Sequence, residues 1–150
     1  MTESTLLDAL VEVRRTGGLL HEILDLSRQL AEAVDRDDQV SIRMLVSMRG
    51  EPIERLRQTD QALRHMLKVM PDQQDARHLA GLLNGTEKPA PEERALAERV
   101  EANARLLRQV RELDRALNRR LTREKSIYDG QPGAAPAENA PVGGAFSGMA

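Results

Sequence analysis

The chain has 150 residues, 31% of them charged, and a formal net charge of −2. It holds no Cys and no Trp, one Tyr and one Phe. That excludes a disulfide framework, a Cys-based zinc site and thiol chemistry, and it leaves little material for a β-sheet. Leu, Arg, Glu and Ala dominate, and all of them favour helix. The expected fold class is therefore all-α: long antiparallel helices in a coiled-coil-like hairpin or bundle, with a short middle helix and a C-terminal tail. No apolar run approaches the ~18 residues of a membrane span, and Met1-Thr2-Glu3-Ser4 lacks a basic signal-peptide start. The expected location is the cytoplasm, with no membrane insertion.

Apolar spacing predicts a first helix over residues 4–35, capped by Ser4 and carrying Leu6, Leu10, Val13, Leu20, Ile23, Leu24, Leu30 and Val34 inward. Gly17-Gly18 either sits as a tolerated weak spot in one helix or divides two. Asp37 or Asp38 caps a second segment over residues 39–70. Gly50-Glu51-Pro52 in its middle predicts a kink, or an end and restart. Met44, Met48, Met66 and Met70 lie along this segment, as core residues or as a pliable binding surface.

Asp72 caps a short helix over residues 73–83, which Asn84-Gly85 stops. A last helix follows over residues 91–127, with Pro91 at its first position. Its length is roughly 50 Å. Leu96, Val100, Leu107, Val110, Leu117 and Leu121 form one stripe, widened by Leu106 and Leu113. Residues 1–129 are read as one helical domain. Residues 130–150 are built mainly from Gly, Pro and Ala, with Glu138 the one charged residue, a composition that predicts disorder.

Nothing in the chain has the spacing of a catalytic or ligand-binding motif. His21, His65 and His78 share no i, i+3 or i, i+4 pairing and read as solvated or rim residues. Carboxylates mostly pair with Arg at helical spacing, as in Glu101 with Arg105. The expectation is a non-enzyme without metal or cofactor. Two features point to binding instead. Arg105, Arg108, Arg111, Arg115 and Arg119 line one face of the last helix, opposite its apolar stripe. Asn103 and Asp114 interrupt that stripe, which suggests that part of it meets another chain. Candidate partner-binding residues are Asn103, Leu106, Leu107, Val110, Leu113, Asp114, Leu117 and Leu121.

Three stretches resemble the FlgN-type flagellar export chaperones, with the FliT-type chaperones as a second match. These are residues 19–26 (LLHEILDL), residues 48–56 (MRGEPIERL), and NARLL at 103–107 with KSIYDG at 125–130. The resemblance implies an export chaperone for type III secretion in flagellum biogenesis. Such a protein binds the C-terminal helices of hook-associated, hook–filament junction cargo through its last helix and brings them to the flagellar export gate. It also implies gate contact for Tyr128, which stands at the matching helix exit. The kink expected at Gly50-Glu51-Pro52 and the longer, less charged tail depart from the family pattern. Two other readings stand beside it: a nucleic-acid-associated protein using the Arg face, disfavoured because no aromatic interleaves for base stacking, and a coiled-coil module that forms a homodimer.

Overall fold

The computed structural model describes residues 1–129, with side chains through Thr122. The tail at 130–150 and the side chain of Tyr128 lie outside the described residues, and so do the expectations placed on them. Within this span the chain folds into four α-helices: α1 Glu3–Asp35, α2 Gln39–Val69, α3 Gln73–Asn84 and α4 Arg94–Asp129, the last preceded by a single 3₁₀ turn over Pro91–Glu93. No strand occurs among the described residues.

Local chemistry sets the boundaries. Thr2, not Ser4, caps α1: its Oγ1 accepts from the Thr5 N–H at 3.1 Å. Ser4 lies one residue inside the helix and cannot serve. Asp37 takes the left-handed conformation in the turn after α1, with φ 54°. Asp38 then caps α2, accepting from the Ser41 N–H at 3.1 Å. Asp72 Oδ1 accepts from the N–H groups of Gln74 and Asp75 and starts α3. Gly85 closes it with φ 74°, a backbone state in which a Cβ would be strained.

Both doubtful junctions are continuous helix. α1 runs through Gly17-Gly18 without a break. α2 runs through Gly50-Glu51-Pro52, with Pro52 buried inside the helix rather than opening a new one. Burial of the Pro52 ring in the bundle offsets the hydrogen bond that proline cannot make.

The long helices align along one axis. Val13 meets Asn103, Leu20 shares a cluster with Val110, and Asp35 pairs with Arg120, so α1 and α4 advance in parallel. α2 runs antiparallel to both, since Leu63 joins the start of α1 while Leu45 joins its end. Three aliphatic clusters fill the length. Leu19, Leu20, Ile23, Leu24, Leu56 and Val110 lie in the middle. Leu30, Val34, Ile42, Leu45 and Leu117 lie toward the α1–α2 turn. Val13, Leu63, Leu79, Leu82 and Leu96 lie at the α3 end. None of the three contains an aromatic ring. Each fully buried Leu or Ile contributes about 1.5–3 kcal/mol.

Candidate functional site

The apolar stripe of α4 is mostly interior. Val110 is 0% exposed and Leu117 3%, both packed against α1 and α2. Leu106, Leu113 and Leu121 are half-buried against the same clusters. The stripe expected to be only partly covered by the chain's own helices is buried at Val110 and Leu117 by α1 and α2, while Leu106, Leu107, Leu113 and Leu121 keep part of their surface exposed.

The two polar residues in that stripe serve internal contacts too. Asn103, 8% exposed, donates through Nδ2 to the Val13 carbonyl at 2.8 Å. The Asn103 side chain takes the space beside Gly17. A Cβ there would lie 2.7 Å from Asn103 Oδ1, whereas one at Gly18 would meet nothing within 4 Å. Asp114, 9% exposed, accepts from Arg49 Nη2 at 2.7 and 2.9 Å and ties α4 to α2. Burial pushes the Asp114 carboxyl above its usual range, and the facing Arg49 guanidinium pulls against that without cancelling it. Arg49 Nε is buried and makes no hydrogen bond.

One face of α4 stays open. A groove of 870 Å³ lies between α3, the loop that follows it and the N-terminal half of α4. Val13, Leu63, Leu82, Leu83, Val100 and Leu107 make it largely apolar. Its α4 lining extends from Arg94 to Arg111, roughly 25 Å of helix. Of the sequence candidates, Asn103 and Leu107 border the groove. A signal for it exists in the adjacent pair Leu106-Leu107, because neighbours in a helix point about 100° apart and cannot share one face. Leu106 goes to the core cluster alone, whereas Leu107 reaches the groove as well.

The groove's far wall is held by a polar cluster that spacing alone does not reveal. Gly81 O accepts from the N–H groups of Thr86 and Glu87, turning the chain back on α3. His78 then bridges two carboxylates, with Nε2 2.8 Å from Glu93 and Nδ1 3.3 Å from Glu87. Glu93 Oε1 also accepts from the Ala90 N–H at 2.9 Å. The hydrogen bond to Glu93, aided by Glu87, holds His78 above its ordinary value despite partial burial. Burial works to raise Glu93, yet the Ala90 N–H and the His78 ring hold it below the usual carboxylate range. His78 is thus a clamp for the 85–93 segment, while His21 and His65 are exposed as expected.

Elsewhere the surface divides the predicted rows. Met44 and Met48 are exposed on α2, whereas Met66 and Met70 pack at the α3 end. Arg105, Arg108, Arg115 and Arg119 are exposed along α4, and Arg105 pairs with Glu101 at 3.1 Å. No metal-holding group of His, Asp or Glu occurs among the described residues. No described helix is long and apolar enough to cross a membrane. No known family, curated protein or solved structure matches the chain.

Proposed function

We propose that the protein is a helical binding chaperone that holds an apolar helix of another polypeptide in the groove between α3 and α4. The observation that carries this reading is the groove itself: open, largely apolar, and extended along several turns of α4. A small molecule would use a fraction of that length, whereas an amphipathic helix would lie along it, in the helix-in-groove mode. The aliphatic walls, without a rigid aromatic ring, suit partners of varied side-chain shape.

The resemblance of residues 19–26, 48–56 and 103–107 supplies the cargo. We assign the role of a cytoplasmic export chaperone that binds the C-terminal helices of hook–filament junction subunits and brings them to the flagellar export gate. Leu107 and Asn103 then face cargo directly, while Val110, Leu117 and Asp114 keep α4 seated.

Ala104 offers a clean test, because it lines the groove and is exposed. Ala104→Tyr fills the groove without entering the core. Size-exclusion chromatography of the protein mixed with junction subunits is expected to show a complex for the wild type and none for Ala104→Tyr. Absence of any wild-type complex would refute the cargo assignment.

A further inference from the structure

The charges around the groove are sorted by end. At the α3 end, Glu87, Glu98 and Glu101 stand against Arg94, with Glu87 also paired to His78 and Glu101 to Arg105, so the carboxylates keep a small excess there. The C-terminus of α3 and the N-terminus of α4 meet there, and their opposite dipole ends offset each other, so side chains set the sign. Toward the other end the same face of α4 turns basic. At 100° per residue, Arg108 and Arg115 fall on the groove side of α4, between Leu107 and Glu101 in angle, and about 100° or more from the inward positions of Val110 and Leu117. Both are exposed. Arg111 lines the groove beside them, and Glu112 is the one acidic residue on that side.

We infer that the groove takes its helix in one direction, parallel to α4, with a basic N-terminal end against Glu87, Glu98 and Glu101 and an acidic C-terminal end against Arg108 and Arg115. This rests on the proposed helix-in-groove reading and adds the polarity of the partner. The bound helix's own dipole acts in the same sense: its positive N-terminus meets carboxylates and its negative C-terminus meets guanidinium groups. A helix laid the other way places like charges together at both ends.

Two labelled peptides of about 18 residues test this against the full chain by fluorescence anisotropy. Both carry the same Leu/Ala face; one has Lys in its first turns and Glu in its last, the other the reverse. The Lys-first peptide is expected to bind about five-fold tighter at low salt, with the preference fading as screening shortens the reach of charge. Arg108→Glu with Arg115→Glu should erase or invert the preference. The chain has no Cys, so a nitroxide on Thr86→Cys reports direction independently, broadening resonances of the peptide's N-terminal residues. Equal affinities, or tighter binding of the Glu-first peptide, overturn the directional inference and leave the groove reading standing. Binding of neither peptide overturns both.

Discussion

The two halves of α4 do opposite work with similar sequence. From Val110 onward the helix buries its apolar positions against α1 and α2, and Asp114 is locked to Arg49 across the bundle. From Arg94 to Leu107 it buries only one flank, through Leu96 and Asn103, and leaves the other facing the groove. The difference comes from the partners present. α2 and α1 cover the C-terminal half, while at the N-terminal half α3 packs on the Leu96 side, leaves the groove flank open, and has its loop pinned by His78. One amphipathic helix is thereby packed as scaffold in one half and left with an open apolar flank in the other, the surface proposed to bind.

The largest expected effect lies in the scaffold half. Asp114→Ala leaves the Arg49 charge buried without its partner and should cost about 3–5 kcal/mol in urea unfolding. Replacing both, as Arg49→Met with Asp114→Leu, should recover most of that loss, because the pair is itself costly to desolvate and Arg49 Nε is unsatisfied. A double variant as unstable as the single one would contradict this account of the seam.

Next comes the glycine pair. Gly17→Ala pushes a methyl onto Asn103 Oδ1 and strains its bond to Val13, while Gly18→Ala adds helix propensity in open space. The two variants should differ in unfolding free energy by about 1–3 kcal/mol, with Gly18→Ala the more stable. Equal stabilities would mean that the Asn103 side chain gives way at no cost.

A smaller effect is expected of the His78 clamp. Its raised value stabilises the fold fully below the unfolded value of about 6.5 and is lost as pH rises through the folded one. The lowered Glu93 contributes in the opposite sense, present above the unfolded value near 4.3 and lost as pH falls through the folded one. Both contributions therefore coexist in mildly acidic solution. Hydrogen exchange of residues 85–93 should quicken on passing from pH 6 to pH 8 beyond the intrinsic base-catalysed rise, and His78→Gln should remove that excess. An unchanged excess in the variant would place the pH response elsewhere.

The long helices were legible because their apolar positions recur over many turns and the Asp37-Asp38 pair, Asp72 and Gly85 punctuate them. Three things were not. Gly50-Glu51-Pro52 leaves a kink and an end with restart equally open, and the helix continues because burial of Pro52 is a tertiary gain that local rules do not count. Gly17 reads as a weak spot, because its purpose is a contact with a residue far along the chain. The extent of the open face was not legible either: the stripe shows which side of α4 is apolar, but not which part of it α1 and α2 cover. The parallel course of α1 and α4 decides that, and it follows from packing rather than from periodicity.

The most direct measurement is the binding of an apolar helical peptide to the full chain, wild type against Ala104→Tyr, alongside unfolding of both. The groove account predicts that binding is lost while stability stays within about 0.5 kcal/mol. Undiminished binding by Ala104→Tyr would contradict it.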